Sequence, residues 1–238
     1  MANSARSGKS KKAAKRKRAR PLISGLKVGI VGVDSCYDLS TEAVFAFRVN
    51  NVYTHLEKKG FDIKYCNGNL ATRHYVSAAL KQPHVQFLTG SGHGQTAQFL
   101  GSYYTVILEV GKYASEEVKN KIIHLCACYS ALELGADLVA KGCKAFLGYD
   151  EEFSFSRKYI DRFIECDAEI DIAIAEGNTA SQAYSRAIQL YNKYIKEFDD
   201  KGLATQVALL QYNRDHLCAP DRDARWGDPN AKLRNVES

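Results

Sequence analysis

Two residues in this chain combine a reactive side chain with a setting that could expose it. His93 sits in Gly90-Ser91-Gly92-His93-Gly94, directly after the apolar run Val85 to Leu88. Glycines on either side let the backbone adopt positive φ or come close to a ligand, so the ring can project from the end of a buried strand. Cys128 sits in Leu125-Cys126-Ala127-Cys128-Tyr129-Ser130, directly after a second apolar run from Lys121 to Leu125. A helix predicted over 131–141 begins soon after it, and helix N–H groups near a cysteine stabilise its thiolate. A lone histidine is most often structural, and a free cysteine most often a small buried hydrophobe. The pair is more informative, because a thiol and an imidazole at the ends of adjacent strands can act as nucleophile and base.

Cys126 is a second candidate nucleophile. His124, Cys126 and Cys128 would also share one strand face if the strand ran that far, which raises a metal site as an alternative. Ligands two apart on a straight strand suit tetrahedral zinc poorly, and no Cys-x-x-Cys motif is present. The glycine-rich segment lacks the spacing of a dinucleotide fingerprint or a P-loop. No Gly-x-Ser-x-Gly elbow occurs, which argues against a serine hydrolase.

The elements that must hold these residues alternate between strand and helix. Strands are predicted over 26–33, 61–65, 85–88, 121–125 and 145–149, with a further strand or hairpin arm over 103–110. A helix starts at Ser40-Thr41-Glu42 and stops at Gly60, a shorter one spans 72–80, and Ser115 caps another. The remainder is mostly helical, with a Thr179–Gln182 capping box before an apolar stripe from Tyr184 to Phe198. The pattern predicts one mostly parallel sheet covered on both faces. Sites in such sheets lie beyond the C-terminal strand ends, which is where 34–38, 90–95 and 126–130 fall.

Ser-Gly-His-Gly after one strand and Leu-Cys-Ala-Cys-Tyr-Ser-Ala after the next resemble the caspase-like cysteine peptidases, which include caspases, metacaspases, gingipains and bacterial CHAT domains. Lys141 to Gly148 and Gly177-Asn178-Thr179 add to the resemblance, which spans about residues 26–198. It implies a three-layer α/β sandwich, with a central, mostly parallel sheet of about six strands flanked by helices. It also implies Cys128 as nucleophile, His93 as acid/base partner, and the N–H groups of Gly94 and Cys128 as an oxyanion hole. Cys128 is preferred over Cys126 because the family pattern is Leu-x-Ala-Cys. No cofactor or metal is implied. The substrate would be a protein, and an activating protein and a defence or cell-death role follow by analogy. The place of the caspase glutamine, two residues before the nucleophile, is taken by Cys126. Asp34 and Asp38 after the first strand, and Asp150, Glu151 and Glu152 after the fifth, are expected to make the substrate pocket acidic and favour cleavage after Arg or Lys. Arg157 and Lys158 form a candidate self-processing site. The rival expectation is a caspase-like scaffold that only binds.

The composition is that of a globular protein, 45% hydrophobic and 25% charged. Nine of the 33 lysines and arginines lie in residues 1–20 with no acid among them, so the positive net charge belongs to that segment. It lacks bulky apolar residues beyond Met1 and is expected to be a disordered basic tail able to contact nucleic acid or an acidic partner. The peptidase domain is expected over 21–218 and a polar C-terminal tail over 219–238. Seven cysteines without a pairing framework, and no apolar run long enough for a membrane span or a secretory leader, lead to the expectation of a cytoplasmic protein with no membrane contact.

Overall fold

In the computed structural model, residues 27–234 are described. Short apolar runs become strands and the segments between them helices. The order is β1 (Gly29–Asp34), α1 (Leu39–Arg48), α2 (Thr54–Lys58), β2 (Asp62–Tyr65), α3 (Arg73–Leu80), β3 (Val85–Ser91), β4 (His93–Gln95), β5 (Gln98–Leu100), β6 (Val106–Glu109) and α4 (Ser115–Val118). There follow β7 (Ile122–Cys126), α5 (Glu133–Ala140), β8 (Ala145–Tyr149), α6 (Ile160–Ala175), α7 (Ala180–Asp199), α8 (Ala204–His216) and β9 (Leu217–Cys218). Six strands form the central sheet in the order β2-β1-β3-β7-β8-β9. All neighbours are parallel except the final pair.

The strand period of two divides the core between the two faces of the sheet. Ile30, Phe87, Ile122 and Leu147 pack with Val52, Leu56, Phe163, Ile174 and Tyr191 on one side. Val31, Leu88, Ile123 and Phe146 pack with Val76, Leu80, Leu134 and Leu138 on the other. The expected three-layer α/β sandwich with a mostly parallel sheet is therefore the observed fold.

Two regions differ from the sequence expectation. The strand expected over 103–110 is reduced to β6, which joins β4 and β5 in a separate three-stranded antiparallel sheet. β4 and β5 are only three residues long, His93-Gly94-Gln95 and Gln98-Phe99-Leu100, too short to show the apolar alternation that marks a strand. The polar stretch from 219 onward packs on the body as far as it is described: Trp226, Ala231 and Leu233 are buried. The tail expected over 1–20 and the last four residues of the chain lie outside the described residues.

The helix after β1 is not uniform. Between α1 and α2 the chain makes one wide π-type turn, Val49–Tyr53. That turn brings Arg48 and Tyr53 to the same interior point, where both reach Asp34. Wide turns of this kind often mark functional regions.

Candidate active site

The β3–β7 register ends at the pair Ser91↔Cys126, so His93 and Cys128 each lie two residues past it at the C-terminal edge of the sheet. The Gly92 N–H donates to the Cys126 carbonyl and carries the pairing one step further. The next contact explains Gly94. A Cβ there would overlap the Cys128 carbonyl oxygen and lie 3.1 Å from the Cys128 nitrogen. Only glycine lets the His93 strand lie flat on the nucleophile loop. The two predicted catalytic residues thus face one small cavity, of about 70 Å³, whose other walls include Val44, Cys126, Phe153 and Phe155.

His93 is held by groups that the sequence did not assign to it. Its Nε2 lies 2.8 Å from Asp38 Oδ2, which leaves Nδ1 for proton exchange. Tyr104 stacks on the ring with centroids 5.1 Å apart, and Tyr37 meets its edge. Tyr103 and Tyr104 both have positive φ, 52° and 59°, a strained conformation for bulky residues. Asp38 also caps α1, its Oδ1 accepting from Ser40 and Thr41 N–H at 2.9 and 3.0 Å. Burial opposes ionisation of Asp38. The Thr41 N–H, His93 and the Ser40 N–H outweigh it and hold the carboxyl below its ordinary range.

Cys128 differs from expectation in one respect. The helix predicted to start soon after it begins only at Glu133, after a turn in which Tyr129 takes φ 58°. The thiol therefore gains no direct help from a helix terminus. Burial raises its pKa, the Phe153 N–H lowers it, and Glu152 raises it again, leaving it above the ordinary thiol value. A thiol raised in this way needs a base before it can act as a nucleophile. The Cys128 N–H has no hydrogen-bond acceptor among the described residues, as an oxyanion donor requires. The loop around it is tied down from several directions. Tyr129 and Ala131 N–H donate to Glu151 and Tyr149 carbonyls, and the Trp226 indole donates to the Ala131 carbonyl at 3.0 Å.

Two of the five acids expected to make a substrate pocket acidic, Asp34 and Asp38, are engaged by internal partners. Asp34 is fully buried and accepts from Arg48 Nε at 2.8 Å, Ser91 Oγ at 2.6 Å and the Tyr53 hydroxyl. It belongs to the interior, because a carboxylate removed from water needs such partners. Asp38 holds His93. Asp150 lies 2.8 Å from His216 Nδ1, and Glu151 accepts from the Tyr212 hydroxyl at 3.2 Å. Arg157 and Lys158 are exposed on a short turn.

Beneath the site lies a buried charged network that sequence reading missed. His124 places Nδ1 2.7 Å from Asp171 and Nε2 3.2 Å from Asp167. Arg48 Nη1 reaches Asp171 at 2.7 Å, and Thr89 bridges the two. Both imidazole nitrogens of His124 are thus engaged by carboxylates, the atoms that the metal alternative would have used. Burial disfavours a charged His124, but Asp171 and Asp167 overcome it and push the group up to about 9. Cys126, 5% exposed, has its thiol pushed well up by burial and then by Asp167. That makes it a poor nucleophile beside Cys128.

Comparison with solved structures gives one result. The Arg-specific cysteine proteinase gingipain R superposes with a TM-score of 0.63 at 14% identity, over 89% of this chain and 49% of that one. The chain has the gingipain fold. A complex of Porphyromonas gingivalis RgpB pro- and mature domains matches at a TM-score of 0.59 and 12% identity, over 88% of this chain and 49% of that one. The chain spans about half the length of these gingipain chains. No family model and no curated protein sequence matches it. No helix among the described residues is long and apolar enough to cross a membrane.

Proposed function

We propose that this protein is a cysteine endopeptidase with Cys128 as nucleophile and His93 as acid/base. The reading is carried by one observation: His93, fixed by Asp38, and Cys128 face the same cavity at the C-terminal edge of a gingipain-like sheet. In the first step the Cys128 thiol passes its proton to His93 Nδ1 as its sulfur attacks the scissile carbonyl carbon. The N–H groups of Gly94 and Cys128 receive the oxygen that gains charge. Collapse of the intermediate breaks the C–N bond, and His93 returns the proton to the leaving amine. Water, deprotonated by His93, then releases the acyl group from sulfur. Asp38 keeps Nε2 protonated, so that Nδ1 stays basic.

A mixed peptide library digested with wild type and with His93→Ala tests the reading. Products should form with wild type and fall by at least about 10²-fold with His93→Ala. Equal turnover would remove the dyad, and no turnover by wild type would favour the inactive-scaffold alternative. A preference for basic residues, expected from the acidic loops, would have to come from the loop at 150–152, since Asp34 and Asp38 are engaged elsewhere. A place in regulated proteolysis, with an activating protein, rests on analogy alone.

A second reading, contact of residues 1–20 with nucleic acid, is supported by a separate feature. At the opposite ends of the parallel strands a cavity of about 520 Å³ is lined by Lys81, Lys119, Lys121, Lys144 and Arg234, against Glu116 alone among the acids. Lys27, the first described residue, precedes β1 at this same end. The two activities are compatible, since they use opposite ends of the sheet.

A further inference from the structure

We propose that the cavity between His93 and Cys128 receives the side chain preceding the cut bond, and that it selects an uncharged aliphatic residue, with Val44, Cys126 and Phe155 setting the choice. This rests on the peptidase reading and departs from the basic preference expected from the loop acids.

The cavity adjoins both catalytic side chains, so a chain whose carbonyl carbon meets Cys128 Sγ has its neighbouring side chain at the opening. No carboxylate, lysine or arginine lines it. Its lining includes Val44, Phe153, Phe155 and Cys126. Burial and Asp167 keep the Cys126 thiol protonated and uncharged. Ser40, Thr41 and Ser91 are the hydroxyl-bearing residues of the lining, and the Ser91 hydroxyl already donates to Asp34. A lysine or arginine entering here would lose its hydration with no carboxylate in the lining to receive it: Asp34 and Asp38 are engaged by internal partners, and Glu152, which acts on Cys128, lies outside the lining. An aspartate would meet no cationic side chain. A cavity of about 70 Å³ takes roughly five to seven waters at 10–15 Å³ each, which leaves room for an aliphatic side chain. Selection by methylene count in such a pocket reaches about 10–200-fold.

The test uses the full chain and peptidyl acyloxymethyl ketones that differ only in the residue next to the warhead: Ala, Val, Leu, Arg or Asp. The rate of adduct formation on Cys128 is followed by intact mass and peptide mapping. Wild type should label with Ala or Val at least about tenfold faster than with Arg or Asp. Phe155→Asp should raise the Arg-to-Ala ratio at least tenfold, and Val44→Ala, which deepens the cavity, should raise the Leu-to-Ala ratio. Faster labelling by the Arg or Asp probe overturns the proposal while leaving the peptidase reading intact. Unchanged ratios in both folded variants also overturn it, because the selective pocket would then lie elsewhere. If no probe labels Cys128, the peptidase reading fails and this proposal falls with it.

Discussion

Asp38 serves two structures with its two oxygens: Oδ1 closes the first turn of α1, and Oδ2 fixes His93. That division makes an unusually clean substitution available. Asp38→Asn keeps an acceptor for Ser40 and Thr41 N–H but removes the charge opposite the imidazolium that forms during turnover. The expected result is a fall in kcat of at least about tenfold, about 1.4 kcal/mol of barrier, with thermal stability changed far less. A variant with wild-type kcat would show that Asp38 is a cap and nothing more. The sequence placed Asp38 near the site but did not reveal its pairing with His93, because a carboxylate's partner depends on tertiary contact. His93 and Asp38 are far apart in the chain, and no local spacing announces their pairing. Cys128 and His93 could be found because strand ends and glycines mark them locally. Tyr104 could not, since nothing in Tyr103-Tyr104 indicates that the backbone there turns left-handed to stack a ring on histidine.

At the scale of elements, α1, α6 and the sheet are joined through Arg48, Asp34, Asp171, Asp167 and His124, all fully buried. Breaking one buried pair of this kind costs about 3–5 kcal/mol, because it strands the other charge. The pH dependence follows from two shifts. His124 and Arg48 outweigh burial and lower the Asp171 carboxyl from 3.8 to about 2, so its contribution is complete above pH 4 and is lost as pH falls through 2. His124, raised from 6.5 to about 9, contributes fully below pH 6.5, and that share is lost as pH rises through 9. Urea unfolding should therefore show greatest stability between about pH 4 and 6.5 from these two groups. His124→Gln should lower stability at pH 5.5 and flatten the decline toward pH 9. An unchanged alkaline decline in that variant would assign it to other groups. The strands of the central sheet were legible as apolar, β-branched runs, and the Thr179–Gln182 cap was legible from its residue types. The network was not legible. Asp167 and Asp171 read as the polar face of an amphipathic helix, and the π-type turn that aims Arg48 inward leaves no mark in composition.

For the whole molecule, the parallel sheet separates two poles. His93 and Cys128 stand at the C-terminal strand ends, while the basic cavity and Lys27, the first described residue, stand at the other. Binding of single-stranded DNA should weaken steeply with salt, and deleting residues 1–20 should reduce the slope of log K against log salt. Peptide turnover should be unaffected by the deletion, since that sequence has no bulky apolar residue beyond Met1 to anchor it. Salt-independent binding would argue against the electrostatic reading. The central claim, that chemistry occurs at Cys128 and not at the buried thiol two residues before it, is tested most directly by paired alanine substitutions assayed on the same peptide library. Cys128→Ala should abolish product formation with the fold intact, while Cys126→Ala should retain activity within roughly tenfold. Loss of activity with Cys126→Ala alone, or continued cleavage by Cys128→Ala, would contradict the assignment.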